Sequence, residues 1–296
     1  MNPETILNLP KEHRRTFIAL MFSLIVIGAF VEWILTKQTV GDIALSLVRA
    51  IVTAISTSLF VLWIAASFLP RPVAEKRLIE IQPSKITNEF EQMLATATRW
   101  RYKGNFGRYM RGKVLPTLDG RQNCHVTGCV IDPLNTELCE KHAQYRSQIN
   151  SIDKGRKYDA FEVSLEVLVT VVFCAWYAAN SRTKVELYFS SSFDPVRIDS
   201  NDDKMILTVE DRRRPALLID KEHFTYEHFE MSMEFARTQG RSVLLDGIRR
   251  GIALAQLECV DVSSALERAG LKILCDQITP ERILMACREA KNPYAD

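Results

Sequence analysis

Hydrophobic positions in this chain change their spacing three times along its length. Residues 16–35 and 51–69 are almost wholly apolar, with Glu32 the one charge in the first run and none in the second. Each run is close to the ~20 residues that a helix needs to cross a hydrocarbon core. Backbone groups in lipid must pair within their own segment, so the runs predict a transmembrane helical hairpin. From Ser84 the apolar residues Ile86, Phe90, Met93, Leu94 and Ala97 recur at helical spacing through Trp100. Residues 122–133 read as a strand closed by Asp132-Pro133, and 134–146 as a helix. Residues 161–179 form a third apolar stretch, whose uninterrupted part is too short for a span and fits a buried core helix.

After Lys184 the period becomes two. Residues 185–191, 195–199, 204–211 and 214–220 predict four short strands, antiparallel in this half, with SNDD (200–203) as a turn. A helix ending at Gly240 follows, then a helical reading of 242–260, a short helix opened by Asp261 and closed by Gly270, and a last helix from Pro280. The expected fold class is α/β. A cytoplasmic leader (1–15) and the hairpin (16–69) lead through a juxtamembrane connector helix (70–98) into a mixed α/β cytoplasmic domain (99–296).

Charge supplies orientation. Lys11, Arg14 and Arg15 precede the first apolar run and Arg71, Lys76 and Arg77 follow the second, whereas the connection holds only Lys37, Asp42 and Arg49. The positive-inside rule puts both termini in the cytoplasm of a multi-pass inner-membrane protein. Small residues on the second run, among them Ala54, Ser58 and Ala65, provide a close-packing face for a homo-oligomer, and Glu32 can pair across helices or line a water path. The overall formal charge of +2 excludes any whole-chain electrostatic attraction. All seven cysteines follow the second run, where a reducing compartment keeps them as thiols.

The most basic stretch is 99–121. Seven cations, Arg99, Arg101, Lys103, Arg108, Arg111, Lys113 and Arg121, stand against Asp119, interleaved with Trp100, Tyr102, Phe106 and Tyr109. Cations for phosphates beside rings for bases make a single-strand-binding surface, and the same composition suits anionic lipid headgroups. A loop whose rings pack on the core is the structural alternative. Cys124, Cys129, Cys139 and His142 offer four zinc-type ligands, but the odd Cys124–Cys129 separation turns their side chains to opposite faces of a strand. No metal, cofactor or catalytic residue is expected, since no nucleophile or phosphate-loop motif occurs.

The segments CVIDPLNTELCEKHAQYR and YFSSSFDPVRIDSNDDKMILTVED…RPALLID resemble the phospholipase-D-like fold. That resemblance implies a strand ending in Asp-Pro and a late strand pair carrying a histidine-lysine motif. Here the late strands offer Arg197, Asp199 and Lys204 and no histidine, so the covalent nucleophile is missing. The two-span N-terminus on a domain of this size is similar to the two-transmembrane effectors of bacterial retron anti-phage systems. That resemblance implies a toxin restrained by a reverse transcriptase and its RNA-linked DNA, which damages the inner membrane on release. A membrane-tethered phosphodiesterase acting on lipid or nucleic acid, and a non-toxic anchor or scaffold, are the alternatives.

Overall fold

The computed structural model describes residues 77–150, 155, 158–211 and 213–289, together with isolated helical positions between 30 and 54. The chain divides into two units, Met1–Ala74 and Glu75–Asp296. In the first, Phe30, Ile51 and Ala54 of the predicted spans are helical and exposed; Ser58, Ala65, Glu32 and the rest of the two spans lie outside the described residues.

The second unit is mixed α/β. Its strands are β1 (Leu78–Ile81), β2 (Arg99–Lys103), β3 (His125–Ile131), β4 (Lys184–Ser190), β5 (Val196–Ser200), β6 (Lys204–Val209), β7 (Ala216–Asp220) and β8 (Arg241–Ser242). They form one eight-stranded sheet in the order β1-β7-β6-β5-β2-β3-β4-β8. β2, β3 and β4 are mutually parallel; every other pairing is antiparallel.

Helices cover both faces. On one lie α1 (Ile86–Thr96), a π-helical turn (Met110–Val114) running into α2 (Leu115–Asp119), α3 (Thr136–Gln148) and α4 (Ala160–Asn180). On the other lies α5 (Phe224–Gln239), over a smaller cluster of Ile198, Met205, Leu207, Ile219, Tyr226 and Met233. The helices α6 (Cys259–Arg268) and α7 (Pro280–Glu289) pack on α4. This explains the apolar composition of α4. It is sheathed by sheet and helices, with Val163, Val167, Leu168, Val171 and Cys174 fully buried. Among the described residues α4 is the one helix long and apolar enough to cross a membrane, and 72% of that window is buried.

Four sequence expectations need correction. The helix predicted through Trp100 stops at Thr96, because Ala97 turns to extended backbone and β2 begins at Arg99. The segment predicted as a connector contains β1, whose register on β7 places it inside the α/β unit. Residues 243–258 are not a helix. Gly247 and Gly251 adopt φ of +89° and +75°, a backbone that ends helices, and α6 starts only at Cys259. Asp261 does not open that helix; from its third turn-forming position its carboxylate accepts from the Glu258 backbone N–H at 3.0 Å.

Candidate functional site

The pleat of β2 splits the basic-aromatic stretch in two. Successive side chains on a strand point to opposite faces, so the alternation Arg-Trp-Arg-Tyr-Lys sends cations one way and rings the other. Toward α5, Arg101 pairs with Glu230 and donates to Tyr226 Oη at 3.0 Å, while Lys103 meets Asp194 at 2.8 Å and Ser232 Oγ at 3.0 Å. Toward α1, Trp100 and Tyr102 enter the core with Phe90 and Tyr109. The rings that would stack bases are 0–4% exposed. Arg99 faces Asp202 at 3.5 Å and Lys113 faces Glu91 at 3.2 Å, both near the surface. Asp202 also accepts from the Thr98 and Arg99 backbone N–H groups, tying the β5–β6 turn to the start of β2.

Gly107 (φ +72°) turns the chain from β2 into a short helical lead that carries Arg108 and runs into the π-helical turn with Arg111. Both arginines converge on Glu166 of α4, Arg108 Nη2 at 2.6 Å from Oε1 and Arg111 Nη2 on Oε2. Arg111 also donates to Thr170 Oγ1 at 2.7 Å and is itself buried. Burial alone would raise the Glu166 carboxyl; Arg111 and Arg108 overcome this and hold it at about 2.

A second carboxylate, Glu210 at the end of β6, accepts from Arg146 Nη1 at 2.7 Å, Asn105 Nδ2 at 2.9 Å and His142 Nε2 at 3.2 Å. Burial pushes His142 down from its ordinary value, so the neutral ring is the donor to Glu210, which fixes its tautomer. Burial would raise Glu210 as well, yet His142 and Arg146 bring it to about 2. Sequence reasoning missed Glu210, Asn105 and Arg146, since no spacing links three segments this far apart.

Arg197, singled out by the phospholipase-D-like resemblance, sits beside these groups. Its Nε pairs with the fully buried Asp199, which also accepts from Trp100 Nε1 at 3.1 Å. The guanidinium lies 5.0–5.5 Å from the ring centres of Phe90, Tyr102 and Tyr109. Arg108 and Arg146 lie 5.2 and 5.0 Å from the Phe106 ring. Burial outweighs the Arg197 contact and pushes the Asp199 carboxyl up.

These elements enclose a cleft of about 230 Å³. Its wall carries Arg108, Arg146, Arg197 and Arg214, the carboxylates Glu210 and Asp211, and an apolar side that includes Ile86, Phe90 and Phe106.

The cysteine-histidine set is dispersed. Cys124 joins the core on the α1–α4 side, whereas Cys129 faces the charges of Lys103 and Arg237 under α5, as their odd separation requires. Cys139 lies against Asp132 O and Ser164, and His142 is committed to Glu210. Among the described residues no three His, Cys, Asp or Glu side chains form a group able to hold a metal ion.

No protein-family model and no curated protein matches the chain. Among solved structures, TrmBL2, an archaeal chromatin protein reported to show a novel mode of DNA binding, is similar over 70% of this chain and 69% of its own, at 13% identity and a TM-score of 0.35. A likeness of that degree carries no argument about this chain.

Proposed function

We propose that this chain is a membrane-damaging effector of a bacterial anti-phage system, restrained by a reverse transcriptase and its RNA-linked DNA and permeabilising the inner membrane when released. The observation that carries this reading is the burial of α4. With that apolar stretch accounted for by the α/β core, residues 16–35 and 51–69 remain as the segments of spanning length. The reading places both termini in the cytoplasm and makes the two spans a hairpin. Two spans per chain cannot enclose a water path, so damage requires several chains to associate. Ala54, Ser58 and Ala65 supply the close-approach face, and Glu32 a polar group between helices.

In this reading the α/β unit is phospholipase-D-like without the catalytic histidine. Arg197 supports that view: it is held between Asp199 and three aromatic rings, and a guanidinium is neither a nucleophile nor a general base at ordinary pH.

The test is expression of the unrestrained chain in bacteria while membrane potential is followed with a voltage-sensitive dye. The parent should depolarise cells, and co-expression of the reverse transcriptase with its RNA-linked DNA should prevent it. Replacing Ala54, Ser58 and Ala65 together with Leu preserves lipophilicity and should preserve the potential. Equal depolarisation by this variant at equal membrane abundance would reduce the hairpin to an anchor. A reporter fused after Asp296 that is active only outside the cytoplasm would reject the topology.

A further inference from the structure

We propose that β1 is a docking edge for a second copy of this chain: two β1 strands pair antiparallel about a two-fold axis at Ile79 and join their sheets into one. The edge belongs to the α/β unit; the choice of a second copy as its occupant rests on the homo-oligomer of the proposed function.

The two ends of the sheet differ. β8 closes one end with two residues, of which Arg241 is tied to Ala269 O at 3.2 Å and to Asp132 Oδ1 at 3.2 Å. β1 closes the other with Leu-Ile-Glu-Ile, in unbroken register on β7. An open edge offers its backbone N–H and C=O groups to another strand, and proteins blunt such edges with lysine, proline, bulges or a covering element. β1 has no lysine, no proline and no bulge, and Glu80 is its one charge. Leu78 and Ile79 are 41% and 43% exposed, and Leu217 beside Glu80 on β7 is 37% exposed. Among the described residues, the backbone of Leu78–Ile81 has no hydrogen-bond partner outside β7.

The sequence of the strand then selects a register. In a two-fold antiparallel pair the same patch serves both copies. Centring it on Ile79 sets Ile79 against Ile79 of the second copy, and Leu78 against Glu80. On the α1 side, Leu218 and Ile79 of one copy then line up with Ile79 and Leu218 of the other, four apolar side chains in a row. A pair centred on Glu80 would oppose like charges. A pair centred on Leu78 would draw on residues before the strand begins.

The chain that precedes β1 names the occupant. The first unit ends at Ala74 and β1 starts at Leu78, so copies that associate through their spans hold these strands within reach of each other. In the Ile79 register the two Leu78 Cα atoms are two residues and one strand spacing apart, about 8 Å. Packed helices lie ~8–10 Å apart, a matching separation. Four residues per strand make a small contact, which forms where tethering raises the local concentration.

The experiment places single cysteines in the full chain and oxidises freshly opened cells before any solubilisation, with dimers read on non-reducing gels. Directly opposed residues have Cα atoms about 4.5–5.5 Å apart, inside the ~4.4–6.8 Å range of a disulfide. Ile79→Cys should therefore give a covalent dimer several-fold above the parent, whose seven native cysteines set the background. Leu78→Cys or Glu80→Cys alone should stay near that background, and the two expressed together should crosslink to each other. Ile79→Lys opposes like charges across the axis and should abolish that mixed crosslink, while the purified variant keeps the parent's thermal midpoint to within a few degrees. Equal crosslinking at all three positions, faster crosslinking of Leu78→Cys than of Ile79→Cys, a mixed crosslink that survives Ile79→Lys, or no dimer from folded Ile79→Cys would each overturn the proposal. Depolarised cells with no crosslink would defeat the pairing and leave the effector reading standing; a crosslink without depolarisation would sustain the pairing and defeat that reading.

Discussion

On the α5 side of the sheet, Arg101 meets Glu230 with side chains 19% and 41% exposed; on the opposite side, Arg197 meets Asp199 with 14% and 0%. The partners are of the same type and the strands are neighbours. What differs is the medium around the carboxylate. Glu230 keeps part of its hydration whether or not Arg101 is present, so losing the arginine strands no charge. Asp199 has no water to return to, so losing Arg197 leaves a charge in the core. Two neighbouring strands, β2 and β5, therefore carry a dispensable pair on one face of the sheet and an obligatory one on the other.

Deleting the carboxylate that holds two arginines should widen this contrast most. Glu166→Ala leaves Arg108 and Arg111 facing each other and should destabilise the chain by about 3–5 kcal/mol, read as a lower midpoint in thermal unfolding of the purified protein. A loss below about 1 kcal/mol would mean that water reaches the site and the contrast fails. Arg197→Leu should cost about 3 kcal/mol, the price of an uncompensated Asp199. The double change Arg197→Leu with Asp199→Leu should cost less than the single one, because burial already pushes Asp199 up and its removal relieves that penalty. A double variant less stable than Arg197→Leu would show that the pair is favourable on balance.

Acid titration sharpens the comparison further. Glu166 and Glu210 are both held at about 2, below the 4.5 of an unperturbed glutamate. A carboxyl depressed in the folded state contributes fully above its unfolded value, and that contribution is lost as pH falls through the folded one. Stability should therefore drop between pH 4.5 and 2, and Glu166→Gln or Glu210→Gln should flatten the drop in urea unfolding followed across that range. The smallest effects belong to the wet side. Arg101→Ala, and Lys113→Ala at its surface pair with Glu91, should each shift stability by no more than about 1 kcal/mol.

How much of this was legible in the sequence depends on how local the signal was. The four strands after Lys184, the helix over 160–180 and the helix closed by Gly240 announce themselves through period and punctuation, and each sits within a few residues of its expected place. β2 did not, although its signal was there. Residues 99–103 alternate cation and ring strictly, which is a strand pattern, but composition spoke louder and read as an interface. β1 is four residues long and acquires its meaning only from β7, far along the chain. The cleft is the least legible part. Arg108, Arg146, Arg197 and the pair Glu210 and Arg214 come from separate segments; Arg108 was marked by the basic stretch and Arg197 by the late-strand resemblance, and nothing marked the other three. Glycines at 247 and 251 were the available warning against a helix over 242–260.

The pairing of β1 with β7 has a consequence for the order in which this protein is made. Leu78 emerges from the ribosome soon after residue 74, but its partner Ile219 lies more than a hundred residues further on. At roughly 5–20 residues per second, synthesis of the intervening chain takes on the order of ten seconds. For that interval the sheet has no edge at β1, and β2 likewise lacks β5. The nascent α4 waits in the same way for α6 and α7, made some eighty residues and more after it ends, to cover it.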